Sequence, residues 1–291
     1  VIDRSVGRDF GQGVLRSTDA GKTWLTSSDS ANIPDPWTLL LSPSFEQDHT
    51  IFVTTEYNGV YRSKDAGETW QQINTGLDEQ AFYVIAASPD FKNDQTLIIG
   101  AYNGKVYRSI DGGDTWKNVN ANFPDKFIYS IAFSPAYKKD NTVLASVYNN
   151  GIQVSTDGGL TWQPKNTDLP GNDIRSIVFS PDYQKNQTIY AGVSNFGIYK
   201  SLDGGNTWKP INNGFAYSYY DLLILSPHFL EDKTGYAAFT DVYVTSDAGE
   251  NWSLVGESPW TRYATSLAVM EDGSFLFVAT DGQGVYCYKL K

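Results

Sequence analysis

Cysteine is almost missing from this chain. Cys287 stands alone among 291 residues, so no disulfide can form within it. Histidine occurs only at 49 and 228. Neither stands in a cysteine–histidine spacing that holds zinc, and no metal or other cofactor is expected. Both histidines fall in turns after a Ser-Pro pair, away from any serine or cysteine nucleophile, which excludes a histidine-based triad. No run of 18 apolar residues occurs, so membrane insertion is not expected. Positive charge is also short. Lysine and arginine number 22 against 33 acidic residues, for a net charge of −11. Nucleic acid and anionic membrane surfaces both demand a basic footprint, and neither partner is expected. The N-terminal VIDRSVGRDFGQ has no apolar stretch of the signal-peptide kind and reads as a mature or trimmed start. Two glycosylation sequons, at Asn186 and Asn251, read as chance matches to a short motif.

What the chain has instead is aromatic residues and repetition. Aromatics make up 14%, including 8 Trp and 19 Tyr. Six segments align: RSTDAGKTW, RSKDAGETW, RSIDGGDTW, VSTDGGLTW, KSLDGGNTW and VTSDAGENW. Their aspartates are Asp19, Asp65, Asp111, Asp157, Asp203 and Asp247, spaced by 46 residues four times and then by 44. Their tryptophans are Trp24, Trp70, Trp116, Trp162, Trp208 and Trp252. A second signature recurs as SPSFEQDHT, SPDFKNDQT, SPAYKKDNT, SPDYQKNQT and SPHFLEDKT. A fixed period of this length is the mark of a repeat architecture.

Each repeat reads as four short strands. In the second they are Trp37–Leu41, Thr50–Thr55, Val60–Ser63 and Thr69–Ile73, punctuated by Gly, Pro, Asn and Asp. No stretch sustains a 3.6-residue apolar period, so no helix of note is expected. The prediction is an all-β chain: a single β-propeller of four-stranded antiparallel blades over residues 1–291. Repeats fall at about 1–36, 37–82, 83–128, 129–174, 175–219, 220–262 and 263–291. Seven third strands favour seven blades; six first strands leave six as the alternative.

In the turn between the third and fourth strands the aspartate can accept backbone N–H groups, and a glycine takes the positive-φ position. Counting across the hairpin pairs Arg62 with Trp70, Arg16 with Trp24, Arg108 with Trp116 and Lys200 with Trp208. That pairing predicts a cation over each indole.

These six turns resemble those of the BNR/Asp-box propellers, a group that includes sialidases, two-propeller xyloglucanases, sortilin-type receptors and photosystem II assembly factors. The resemblance runs the length of the chain. It implies that the six aspartates and six tryptophans are structural and lie away from any active site. It does not choose among activities, because unrelated functions share the fold.

The opposite face carries the candidates. Five residues before each turn serine the repeats read Trp37, Tyr83, Tyr129, Arg175, Asp221 and, in the last, Thr265, while Leu39, Ile85, Ile131, Ile177, Leu223 and Leu267 stay apolar two residues on. Loops on the same face add Tyr57, Tyr102, Tyr148, Asp241, Trp260 and Arg262. Aromatic faces beside amides and carboxylates suit sugar rings, and Tyr, Trp and Arg also dominate protein contacts. The expected function is non-catalytic binding of a glycan or a protein partner, in an extracytoplasmic or secreted setting. The alternative is a glycoside hydrolase using Asp221 and Asp241, with Asp9 and Glu56 as further carboxylates. A sialidase would need an arginine cluster; only Arg8, Arg175 and Arg262 qualify, and the Arg-Ile-Pro motif that the resemblance would imply is missing. An assembly factor of the photosystem II type is a further alternative.

Overall fold

The segments IFVTT, LIIGA, VLASV and IYAGV, at 51–55, 97–101, 143–147 and 189–193, are β-branched and apolar on both alternating faces. A strand with that composition must be covered on two sides, since successive side chains point to opposite faces. In the computed structural model, which describes residues 13–17, 19, 22–26, 33–119, 123, 127–216, 222–261 and 263–290, each is a fully buried second strand of a sheet.

The chain divides into two compact units, residues 1–147 with 154–163 and residues 148–153 with 164–291. Sheets are antiparallel meanders in sequence order. The first complete one runs Pro36–Leu41, Ile51–Thr55, Val60–Ser63, Gln71–Gln72. The pattern repeats to give five four-stranded sheets among the described residues, followed by a three-stranded sixth, Ala264–Val269, Phe275–Thr280 and Gly284–Lys289. The fold is a β-propeller of six blades. The expectation of seven is corrected: among the described residues, Leu15–Arg16 and Leu25–Thr26 at the N-terminal end form a two-stranded hairpin rather than a blade, so counting third strands overstated the blades.

Within the first unit the core lies between neighbouring sheets. Leu97, Ile99 and Ala101 pack with Phe52, Val60 and Trp116 on one side, while Ile98 packs with Ile128, Val143 and Ala145 on the other. The second unit repeats the arrangement. Tyr190, Ile198 and Ala237 share one layer, and Tyr236, Ala238, Leu276 and Val278 share the next. The apolar positions Ile85, Ile131, Ile177, Leu223 and Leu267 are all buried.

The Ser-Pro segments hold a feature that the strand pattern did not show. Each contains one turn of α-helix: Phe45–Asp48, Phe91–Asp94, Tyr137–Asp140, Tyr183–Asn186 and Phe229–Asp232. One turn is too short to leave a 3.6-residue period. The turn is tied by its own polar residues. Ser42 Oγ donates to Asp48 at 2.6 Å, and the Thr50 N–H donates to the other Asp48 oxygen at 2.8 Å. In the fourth of these segments Asn186 takes the place of aspartate and donates to Ser180 at 2.9 Å.

The aspartate turns are closed by hydrogen bonds. Asp65 accepts from Ser63 Oγ at 2.7 Å, from the Thr69 N–H at 2.9 Å and from Thr69 Oγ1 at 2.5 Å. Asp111, Asp157 and Asp203 repeat the set, and Asp247 does so with Asn251 in place of threonine.

The hairpin register corrects the cation–indole expectation. Arg62 pairs with Gln71, Arg108 with Lys117, Lys200 with Lys209 and Arg16 with Leu25, each one residue beyond the tryptophan. The cations reach into the next aspartate turn instead. Arg62 donates to the Gly112 carbonyl at 2.8 Å and pairs with Asp114, and Lys200 donates to Ala248 at 3.2 Å and pairs with Glu250. Arg16 donates to the Ala66 carbonyl at 3.1 Å and pairs with Glu68. Trp116 and Trp252 donate backwards, to the carbonyls of Ile73 and Ile211, each at 2.8 Å.

Candidate functional site

The first strands carry an irregularity that positions the candidate residues. In Pro36–Leu41 the ladder pairs Pro36 with Thr55 and then Thr38 with Thr54, so Trp37 is skipped. The same shift skips Tyr83 between Phe82 and Val84, and Tyr129 between Ile128 and Ser130. In the second unit it skips Arg175 and Thr265. A β-bulge leaves its extra residue outside the ladder and re-aims the side chain. The varying position of the repeat is therefore the bulged one in every blade where it is described. Asp221 lies outside the described residues, as do Arg262, Asp9 and Arg8.

Three of these bulges build an aromatic ledge in the first unit. Trp37 meets Tyr83 edge-on, with ring centroids 4.2 Å apart. Tyr83 stacks with Tyr102 at 5.5 Å, and Phe127 sets its edge against Tyr102 at 4.2 Å and Tyr83 at 5.4 Å. Tyr129 continues the row 6.1 Å beyond Phe127. Edge-to-face and offset contacts at these distances are the favourable aromatic geometries. Trp37, Tyr83, Phe127 and Tyr129 are half-buried, and Tyr57 and Tyr102 are exposed at 58% and 49%. Exposure of Tyr102, a ring that already touches Tyr83 and Phe127, marks a surface rather than a core.

Carboxylates border the ledge. Glu56 accepts a hydrogen bond from the Tyr57 hydroxyl at 2.7 Å, and its N–H donates to the Asp35 carbonyl at 3.0 Å. Burial and the neighbouring Glu56 charge raise the Asp35 carboxyl above its ordinary range. Burial, with smaller contributions from Tyr102, Glu56, Tyr129 and Tyr57, pushes Tyr83 up to about 12. The hydrogen bond to Glu56 raises Tyr57 as well. Among the described residues neither Asp35 nor Glu56 forms an ion pair. Lys105, three residues beyond Tyr102, is held 2.9 Å from Asp78 and 2.6 Å from Glu79.

The other predicted residues that are described belong to the second unit. Arg175 pairs with Asp173 at 2.9 Å in the second unit. Tyr148 is half-buried at the end of its strand loop. Asp241 accepts from the Thr240 hydroxyl at 3.5 Å. Trp260 is buried, donating to the Thr240 carbonyl at 2.8 Å and packing on Tyr286. Sequence reasoning passed over Asp35 and Phe127. Both sit two residues before the bulge, where the repeats read Asp35, Ala81, Phe127, Asp173 and Tyr263. That position varies as freely as the bulge itself, and the same register would have found it.

The family model described as Sortilin, neurotensin receptor 3 (Sortilin-Vps10) matches residues 104–221. No curated protein matches the sequence. Among solved structures, an ancestral GH74 enzyme superposes with a TM-score of 0.67 at 23% identity, over 88% of this chain and 38% of that one. The GH74 xyloglucanase from Xanthomonas campestris gives 0.66 at 15%, over 87% and 45%. YCF48 bound to D1 peptide gives 0.66 at 14%, over 95% of this chain and 86% of that one. The chain thus spans less than half the length of the GH74 enzymes it matches and most of the length of YCF48. The fold is a β-propeller, and its repeats are similar to those of the BNR type. Within that class its likeness extends to GH74 enzymes, to YCF48 and to the extracellular domain of a B. thetaiotaomicron protein described as a one-component system, at 16% identity, a TM-score of 0.67, and 88% and 32% coverage.

Proposed function

We propose that this chain is a non-catalytic binding propeller that takes a glycan or a segment of another protein on the ledge around Tyr102. The observation that carries this reading is the row of touching rings from Trp37 to Tyr129, laid down by three successive bulges and left partly open to solvent. Rings held by neighbouring rings lose little freedom when a ligand lands on them, which lowers the cost of binding. The near full-length match to YCF48, whose structure includes a D1 peptide, supports a protein segment. An extracytoplasmic setting is supported by the extracellular domain among the structural neighbours. The test is a pair of glycan and peptide arrays probed with the wild type and with Tyr102→Ala. Binding should fall about tenfold or more in the variant, as for a contact-surface aromatic. Equal binding by both proteins sinks the reading.

A hydrolytic alternative has one observation in its favour. Asp35 is a carboxyl raised partly by an adjacent carboxylate, the kind of pair glycosidases use to separate acid from base. The pair Asp221 and Asp241 remains the other choice. Release of reducing sugar from xyloglucan, abolished by Glu56→Gln or by Asp241→Asn, would establish it and name the pair.

A further inference from the structure

The ledge has an electrostatic character that the choice between glycan and protein leaves unused. Its rim holds two carboxylates: Glu56, which accepts from the Tyr57 hydroxyl at 2.7 Å, and Asp35, whose backbone carbonyl accepts from the Glu56 N–H at 3.0 Å and whose carboxyl the Glu56 charge helps to raise. Neither forms an ion pair among the described residues. The cation nearest in sequence to Tyr102, Lys105, is held by Asp78 and Glu79 and is not available to them. The chain as a whole carries a surplus of 11 negative charges. Tyr57, hydrogen-bonded to Glu56, and Tyr102, stacked on Tyr83, are exposed rings whose π faces are electronegative.

A neutral sugar could accept or donate hydrogen bonds here, but it would leave the repulsion between the two carboxylates in place. A cation removes it. Arginine and lysine also bring a long aliphatic stem that lies on apolar surface while the charged head stays with its partner. A guanidinium gains further by lying over an aromatic face, and its planar fork suits a carboxylate.

We propose that the ledge is a docking surface for a basic peptide segment, with an arginine or lysine side chain laid across Tyr57 and Tyr102 and its charged head between Asp35 and Glu56. This rests on the ledge being the binding surface, as proposed above, and assigns the chemistry of its occupant.

The experiment measures fluorescence anisotropy of labelled twelve-residue peptides that share one apolar frame and carry Arg, Lys, Gln or Glu at the centre. Neutral oligosaccharides are run as competitors. The intact chain is compared with Glu56→Gln, Asp35→Asn, Tyr102→Ala and the charge-matched control Glu231→Gln, with circular dichroism as the check on folding. The expected result is tight binding of Arg and Lys peptides, at least tenfold weaker binding of Gln and Glu peptides, and a loss of about tenfold in Glu56→Gln and Asp35→Asn but not in Glu231→Gln. Affinity should also weaken with added salt, since the pair is partly exposed. If peptides bind without preference for a cation, or oligosaccharides bind instead, and Tyr102→Ala still abolishes binding, the basic-peptide proposal is overturned while the ledge stands. If neither probe binds, or Tyr102→Ala changes nothing, both readings fail together. Should one carboxylate variant fold poorly, the other and the Gln-centred peptide still decide the matter.

Discussion

Arg62 and Asp114 lie 2.8 Å apart, nitrogen to carboxylate oxygen, although Arg62 lies in one blade's third strand and Asp114 sits in the aspartate turn of the next. The same guanidinium donates to the Gly112 carbonyl at 2.8 Å. The two contacts differ in worth. Asp114 is 61% exposed, and an ion pair to an exposed carboxylate contributes little. Arg62 is 7% exposed, and removing it strands a carbonyl that it satisfies. Replacing Arg62 by Met should cost about 1–3 kcal/mol, and Asp114→Asn less than about 1 kcal/mol. Urea denaturation of the two variants checks the order. Equal losses would place the energy in the ion pair instead.

Gly76 lies under the backbone of Trp116. Its φ is +90°, and a Cβ added there would come within 2.2 Å of the Trp116 carbonyl oxygen. Both the left-handed backbone and the contact oppose any side chain. Gly76→Ala should destabilise by about 2 kcal/mol or more. Trp116 reports the event as well, because its backbone N–H donates to the Thr75 carbonyl at 2.9 Å. A shift in its fluorescence should accompany the fall in the denaturation midpoint, and a wild-type midpoint would refute the packing account.

Acid should unpick the aspartate turns. In Asp65, Asp157 and Asp203 burial pushes the carboxyl up, but hydrogen bonds from the turn threonine and serine outweigh it and hold each at about 2, against an ordinary 3.8. In Asp247 the Asn251 side chain does most to reach the same value. A carboxyl with a lower pKa folded than unfolded stabilises the fold above its unfolded value. That contribution drains away as pH falls from about 4 through about 2. Denaturation midpoints measured across that window should decline steeply, and the decline should be shallower in Asp157→Asn. Parallel curves for variant and wild type would locate the acid sensitivity elsewhere.

Neither sequon should be modified. The Asn186 amide donates to Ser180 at 2.9 Å while its oxygen accepts from the Thr188 N–H at 2.9 Å. The Asn251 amide donates to Asp247 at 2.8 Å. Attachment of a sugar would break these turns. Expression in a glycosylating host should leave the intact mass unchanged, and a glycan-sized increase would contradict the turn geometry.

Much of the fold was legible because the repeat reports on itself. Asp65 and its five counterparts fix a hairpin, and IFVTT and LIIGA announce strands covered on both faces. The details that escaped are those that repetition cannot encode. A one-residue offset placed Gln71, not Trp70, across from Arg62, and strand alternation then sent the guanidinium to the next turn. One turn of helix after Ser42 leaves no period to detect. The bulge at Trp37 and its equivalents was visible only as a variable position, since a missing ladder partner has no signature in residue type. The ledge was half read: Trp37, Tyr57, Tyr83, Tyr102 and Tyr129 were named from their register. Phe127 and Asp35 were passed over because their position was not compared.

The bulged positions also separate two tasks that a regular strand would force on one residue. Trp37, Tyr83, Tyr129, Arg175 and Thr265 occupy the same backbone setting, yet they share neither charge, size nor polarity. Because none of them holds a rung of the ladder, each can change without renegotiating the sheet. The chain therefore behaves like a fixed keyboard with exchangeable keys. Libraries randomised at these sites should stay folded far more often than libraries randomised two residues along, at Leu39, Ile85 or Ile131.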